Sequence, residues 1–365
     1  MPKPTNAGRW KRALFSLIGP SRGRDLLAGI VRKRVEKTAP FAFPIDGTSF
    51  RKVLIIFPAD RVQALCQVEN AASLIKVFSN AQVSLLVETP VAPLAKMIGF
   101  GEIVEYLPEE KRLFSPGLAG LNDRFTGAVD CCCLLARDED LPLNYLTGLT
   151  GARLRAGYGG AADFPFINLR INPDSANRYL PESNCAMAEA FGAPPGGRRA
   201  WSPPASTSAD VERLLREVRL DSAVRLFGID VLPLYKLFGG RGAEECISAL
   251  MTSVDGGVYF FCGEAPPRAI AQRLAALVAP VLPVLTIPQT AALLRRTACI
   301  VSGKSLFFGL ATLLGIKAVG IFTEKDLPLY CKPSSTVKGV SCSGEGRDTE
   351  SVASLVAAIR ELGNR

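Results

Sequence analysis

Residues 286–322 read Thr286-Ile-Pro-Gln-Thr-Ala-Ala-Leu-Leu-Arg-Arg-Thr-Ala-Cys-Ile-Val-Ser-Gly-Lys-Ser-Leu-Phe-Phe-Gly-Leu-Ala-Thr-Leu-Leu-Gly-Ile-Lys-Ala-Val-Gly-Ile-Phe322. Ala291, Leu293 and Leu294 supply an apolar helix face, and Cys299–Val301 is a short apolar strand. Ser302-Gly303-Lys304-Ser305 is a polar turn, a second helix stops at Gly315, and Lys317–Phe322 is the next strand. A polar turn feeding a helix N-terminus leaves backbone N–H groups unpaired, and these favour an anion such as a diphosphate. An open α/β sheet places its ligand at such a turn.

The same alternation runs outward through the chain. Strand-like runs at Val53–Phe57, Val83–Val87, Ile103–Tyr106, Ala128–Leu135, Val224–Phe227, Val258–Cys262, Cys299–Val301 and Ala318–Phe322 are separated by helical stretches. Near-continuous apolar strands between amphipathic helices predict parallel sheets covered on both faces. A chain of 365 residues, 48% hydrophobic and 21% charged, suffices for two domains. The Pro- and Gly-rich segment Ala193–Asp210 is the expected linker between them.

Charge is lopsided. Residues 1–40 hold ten Lys and Arg against Asp25 and Glu36, so all but one of the nine net positive charges lie there. Trp10, Leu14, Leu17 and Ile18 share one helical face, and Leu26, Leu27, Ile30 and Val31 share another. A basic amphipathic arm of this kind fits the surface of an anionic membrane, and a solvated tail is the plainer alternative. Ala13–Gly19 is too short to span a bilayer and has no signal-peptide cleavage pattern. No basic–aromatic pattern continues into the folded region, so nucleic acid is not an expected partner.

Histidine is absent, which excludes His triads, His ligands and His general bases. The ten cysteines contain no Cys-x-x-Cys pair, and Cys131-Cys132-Cys133 lies on a strand whose successive residues face opposite ways. Core packing is the reading for that triplet; Cys331 and Cys342, which flank a polar loop, leave a pair or a metal open. Neither a metal nor a cofactor is expected. Ala298 to Ser305 satisfies a permissive P-loop pattern, but Cys299-Ile300-Val301 form the strand itself, and no phosphate-wrapping loop is left.

Four segments resemble the heptosyltransferases, the lipopolysaccharide-core members of glycosyltransferase family 9. Those enzymes carry a strand, then Gly-Asn-Asp-Ser/Thr-Gly-Pro-Met-His-Leu-Ala-Ala-Ala-Leu-Gly, then a strand ending Phe-Gly-Pro-Thr-Asp-Pro. Leu310, Ala311, Leu314, Gly315, Phe322 and Asp326 stand in register with that framework. Lys304 stands where the family has Asp, Leu306 where it has Gly and Gly309 where it has His, while Ser305 is retained. Residues 53–87 are similar to the family's first βαβ unit, through the turn Phe78–Ala81. The family's loop Gly-Asp, whose Asp is the general base, is here Val62-Gln63. Asn177–Pro194 resembles the helix closing the first domain, and Val224–Lys236 the strand and loop that open the second and supply a phosphate-binding Lys.

The resemblance implies a GT-B α/β fold, two Rossmann-like domains facing across a cleft. Residues 1–45 would form the arm, 46–200 the acceptor domain and 201–348 the donor domain. Residues 349–365 would be a helix returning to the first domain. It also implies transfer of a sugar, heptose in the family, from a nucleotide-diphosphate donor to a lipid-linked saccharide, on the inner face of a bacterial cytoplasmic membrane. Gln63 cannot take a proton, so Asp60, three residues earlier, is the candidate base; capping the following helix is its plainer role. Lys236, Gly303, Lys304, Ser305, Glu264 and Asp326 are the candidate donor-binding residues. A catalytically inactive relative that binds a saccharide or protein partner on the same scaffold is the competing reading.

Overall fold

The computed structural model describes residues 29–30, 35, 45–99, 102–137, 140–158, 166–173, 178–194, 205–274, 277, 279–342 and 349–363. The basic arm falls outside these residues except at positions 29–30, Val35 and Ile45. The strands form two separate sheets, all of whose pairings are parallel. The first is built from β1 (Lys52–Ile56), β2 (Gln82–Glu88), β3 (Glu102–Tyr106), β4 (Cys131–Leu134), β5 (Leu154–Gly157) and β6 (Leu169–Arg170) in the order β3-β2-β1-β4-β5-β6. The second holds β7 (Leu226–Asp230), β8 (Gly257–Phe261), β9 (Cys299–Ser302), β10 (Ala318–Thr323) and β11 (Val337–Cys342) in the order β11-β10-β9-β7-β8.

Both orders are doubly wound. Each sheet reverses direction once, between β1 and β4 in the first and between β7 and β9 in the second. At such a point the connections leave in opposite directions and open a crevice beyond the strand ends. The loop after β1 leads to Asp60, and Asp230 and Ser302 end β7 and β9. The cysteine triplet behaves as its strand alternation demands: all three side chains are buried, Cys131 and Cys133 in one core cluster and Cys132 in another.

The helices that position the crevice are α1 (Arg61–Cys66) and α2 (Val68–Val77) after β1, then α3 (Ala92–Ile98), α4 (Pro116–Phe125) and α5 (Leu141–Leu149). The family-like helix near residue 180 is two short pieces, α6 (Leu180–Asn184) and α7 (Ala186–Ala190), with Cys185 between them. A buried amide network ties them to the first crossover. Gln67 Nε2 donates to the Leu135 carbonyl at 2.7 Å, Asn70 Nδ2 to Gln67 Oε1 at 2.8 Å, and Asn184 Nδ2 to the Cys66 carbonyl at 2.8 Å. Removing one partner would strand another in a dry site, which makes this network expensive to break.

Three expectations need correction. Ala205–Asp210, assigned to the linker, begins α8 (Ala205–Glu217), an amphipathic helix that buries Val211 and Leu215. Lys236, assigned to a loop, lies on α9 (Val231–Met251), because Pro233 is tolerated in a first helical turn. Gly239 then breaks that helix at φ 70, so Lys236 rides on its first two turns. The last helix, which follows α10 (Arg268–Leu274), α11 (Ile287–Arg296), α12 (Leu306–Leu314) and α13 (Leu327–Tyr330), is α14 (Thr349–Gly363). It packs on β9, β10, β11 and α9 of the second sheet, not on the first domain. Leu355, Ile359 and Leu362 are buried there among Val301, Val319 and Ile321. That apolar face matches the sheet next to it.

The halves are also not packed independently. One buried cluster runs from Leu65, Ala64 and Val91 of the first half into Ala291, Leu306, Phe308 and Leu310 of the second. Helix α1 approaches α12 closely there: a Cβ added to Gly309 would meet Leu65 Cδ1 at 2.9 Å. Gly309 thus lets the two helices touch where the resemblance places a histidine. Gly309→Val is expected to cost roughly 1–3 kcal/mol by overpacking this contact. Leu65→Ala in the same chain should recover part of that loss, and additive effects in a denaturation double-mutant cycle would contradict the contact.

Candidate functional site

A cleft of about 440 Å³ lies between the halves, at the C-terminal ends of the strands. Asp60, Lys236, Glu264, Lys304, Ser305 and Asp326, all singled out in the sequence, line it together with Arg61, Asp230 and Leu306. Gly303 instead lines a smaller cavity of about 80 Å³, which also shares Lys304 and Ser305 and is closed by Cys66, Glu69, Tyr179 and Tyr330. A Cβ on Gly303 would meet the Ile321 carbonyl and Pro233 Cβ, each at 2.8 Å, so this glycine lets the turn lie against α9 and β10.

Two of these side chains are held by the local sequence. Asp60 caps α1: its Oδ1 accepts from the Val62 N–H at 3.0 Å and the Gln63 N–H at 2.9 Å. The capping role foreseen for Asp60 is therefore present, and the cap does not use Oδ2. Gln63 lines neither cavity. Ser305 caps α12, its Oγ accepting from the Phe307 N–H at 3.2 Å, and Gly315 ends that helix at φ 71. The positive end of the α12 dipole thus faces the cleft beside Lys236.

Lys304 is not a free charge. Its ammonium lies 3.2 Å from Asp326 Oδ1 and 4.7 Å from the centre of the Tyr330 ring. Partial burial pulls its pKa down, but Tyr330 and Asp326 more than offset this and hold it above the ordinary lysine value. Asp326 is further engaged by Thr323, whose hydroxyl donates to Oδ2 at 3.1 Å. The pair is nearly neutral as a unit, which weakens both as ligands for an ionised group.

Asp230 escaped notice in the sequence, and Ser302, read there as part of the polar turn, is the last residue of a strand. Asp230 ends β7 and Ser302 ends β9, the two strands flanking the switch point, and both are buried. Ser302 Oγ donates to Asp230 Oδ2 at 2.8 Å and lies 2.7 Å from Ser305 Oγ. Burial pushes the Asp230 carboxyl up to about 7, against the opposing pull of the Ser302 and Ser305 hydroxyls. The available signal was an Asp at the end of an apolar run, Leu226 to Asp230, directly before a helix. Burial likewise pushes the Cys66 thiol up to about 12, so it offers no thiolate at neutral pH. Among the described residues no three Cys, Asp or Glu side chains form a group able to hold a metal.

Solved structures with this architecture were found at low sequence identity. A glycosyl transferase family 9 protein from Veillonella parvula superposes with a TM-score of 0.71 at 12% identity, covering 88% of this chain and 99% of that one. Escherichia coli heptosyltransferase WaaC with ADP gives 0.62 at 14% identity, covering 85% and 99%. Escherichia coli ADP-heptose LPS heptosyltransferase II gives 0.61 at 16%, covering 84% and 98%. This chain has their GT-B fold. No protein-family model and no curated protein sequence matches it. Identities this low establish the architecture, and the resemblance read from residues 53–87 and 286–322 agrees with it. The Lys304, Leu306 and Gly309 substitutions lie inside that shared fold.

The raised Asp230 pKa has a consequence for stability. A carboxyl whose folded pKa lies above its unfolded value favours the folded state at low pH, and that advantage is lost as pH rises from about 4 to about 7. Asp230→Asn removes the ionisation while keeping the shape. Its stability relative to the parent should therefore grow between pH 5 and pH 8, by roughly 2–3 kcal/mol if the whole shift is expressed. Thermal denaturation at the two pH values reads this, and a pH-independent difference would contradict it.

Proposed function

We propose that the protein is a metal-independent glycosyltransferase that takes a nucleotide-diphosphate sugar in the cleft. The observation that carries this reading is the convergence of Asp60, Lys236 and the α12 N-terminus on one crevice where both sheets reverse. Transfer needs a base for the acceptor hydroxyl and positive charge or helix N–H groups for the leaving diphosphate. Residues 201–348 act as the donor half, with Lys236 and the turn Gly303–Leu306 flanking the diphosphate. Glu264 and Asp326 stand at the nucleoside side. Residues 46–200 act as the acceptor half and present Asp60. A solved neighbour of the same fold carries ADP, which supports a nucleotide in this place.

The acceptor is a lipid-linked saccharide, and the donor sugar is heptose or a related hexose. Leu306 lines the cleft where the resemblance has glycine, so the pocket is narrower there. No helix among the described residues is long and apolar enough to cross a membrane. Residues 1–40 supply peripheral attachment to the inner face of a bacterial cytoplasmic membrane. Deleting them should release the protein from anionic vesicles, and salt should weaken binding of the intact chain. Salt-independent binding, or none lost on deletion, would remove this part of the reading.

Three observations favour the competing role as a non-catalytic binder. Asp60 is already a helix cap, Lys304 is paired with Asp326, and Gly309 is filled by Leu65. Calorimetry against a panel of nucleotide sugars separates the two. Lys236→Ala should weaken binding by roughly 1.5–3 kcal/mol, the worth of a hydrogen bond to a charged group. Asp60→Asn keeps the cap, because Asn caps as well as Asp, and should abolish turnover while sparing donor binding. Binding of none of the panel would sink the enzyme reading, and turnover by Asp60→Asn would remove Asp60 as base.

A further inference from the structure

The geometry points to Asp230 as the residue that decides whether the cleft accepts a phosphate-bearing ligand: such a ligand binds with uptake of one proton at this carboxyl. The inference rests on the proposed occupancy of the cleft by a nucleotide diphosphate.

Asp230 sits where a ligand diphosphate would be best held. It lines the cleft with Lys236 and Ser305, at the sheet's switch point, yet it is only 1% exposed. Its hydrogen bonds have a direction. The Phe307 N–H donates to Ser305 Oγ, and the Ser302 hydroxyl donates to Asp230 Oδ2. With Asp230 ionised, Ser302 Oγ is left to accept from Ser305, so both hydroxyl protons point inward along a chain of 2.7 and 2.8 Å steps. The carboxylate then draws on the positive end of α12 through that chain, and its negative charge repels a diphosphate. Taking a proton from solvent converts Asp230 from acceptor to donor. The Ser302–Ser305 contact permits either atom to be the donor, so the chain can reverse and turn the Ser305 hydroxyl towards the cleft. A second hydrogen-bond donor then faces the ligand and a repelling charge has gone.

Charged and titratable groups face Asp230 from every element around the cleft. Cys262, at the end of β8, has its thiol pushed up to about 12 by burial and by Asp230 itself. Glu264 follows β8, Lys304 belongs to the turn after β9, and Asp326 follows β10. Lys236 comes from α9, and Asp60 and Arg61 face the cleft from the other half. Burial raises Asp230 to about 7, within the range where a modest change of pH changes its charge.

The test uses the full chain and a nucleotide sugar, ADP-glucose or UDP-glucose, whose diphosphate diester has no titration of its own near neutrality. Calorimetry from pH 6 to pH 8.5, in two buffers of different ionisation enthalpy, reads affinity and protons exchanged together. The expected result is uptake of about one proton above pH 7.5 and a Kd that rises about tenfold per pH unit there. Asp230→Asn should bind with an affinity independent of pH and close to that of the parent at pH 6. Ser302→Ala, which keeps the carboxyl but removes a bond to its ionised form, should move the midpoint to higher pH. Lys236→Ala should weaken binding at every pH and leave the slope unchanged. An unaltered slope in Asp230→Asn, or an unmoved midpoint in Ser302→Ala, overturns this inference and leaves the proposed function standing. Absence of binding at every pH overturns both.

Discussion

The contact between Leu65 of α1 and Gly309 of α12 is the constraint on which the rest depends. Both helices start at the cleft, α1 from Asp60 and α12 from Ser305. Where they touch fixes how far apart those two caps stand, and so the width of the crevice. The small residue lets apolar surface of both halves merge into one core around Leu65, Phe308 and Leu310. A shared core resists hinge motion more than a solvated gap would, because opening would expose side chains now out of water. The Lys332–Glu182 ion pair at 2.6 Å lies across the same boundary, but it is exposed and contributes little beside the packing.

The second constraint is electrostatic. Four carboxylates, Asp60, Asp230, Glu264 and Asp326, and three cations, Arg61, Lys236 and Lys304, line the cleft. Lys304 and Asp326 cancel each other. The remaining positive influence comes from Lys236, Arg61 and the α12 N-terminus. In the proposed reading these hold the diphosphate, and a charge on the buried Asp230 carboxyl opposes it. Burial raises the Asp230 carboxyl to about 7, so this opposition changes with pH at the switch point itself.

Fold and site were unequally legible in the sequence. Parallel sheets followed from apolar runs such as Val53–Phe57 and Cys299–Val301, because strands covered on both faces need no polar alternation. Strand β5 escaped because Leu154–Gly157 contains Arg155, a residue that reads as surface, and β6 because it is only 2 residues long. The Arg155 guanidinium is buried and donates to the Ala152 and Phe166 carbonyls at 2.8 and 2.9 Å. Lys338, Gly339 and Ser341 interrupt the apolar residues of Val337–Cys342 and hid β11 in the same way. The cleft residues were found by their positions after strands. The capping of Asp60 was legible because it is local, whereas the Lys304–Asp326 pair and the Asp230–Ser302 bond join groups far apart in the chain and could not be read. Gly309 likewise read only as a missing histidine until Leu65 was seen against it.

The most direct test of this account is a crystal structure of the full chain with the nucleotide sugar that binds it best. The account predicts the diphosphate between Lys236 and the Gly303–Leu306 turn, within hydrogen-bond distance of the Ser305 hydroxyl, with the Leu65–Gly309 contact intact. A ligand seated elsewhere, such as the small cavity beside Cys66, or one that binds only after α1 and α12 separate, would contradict it.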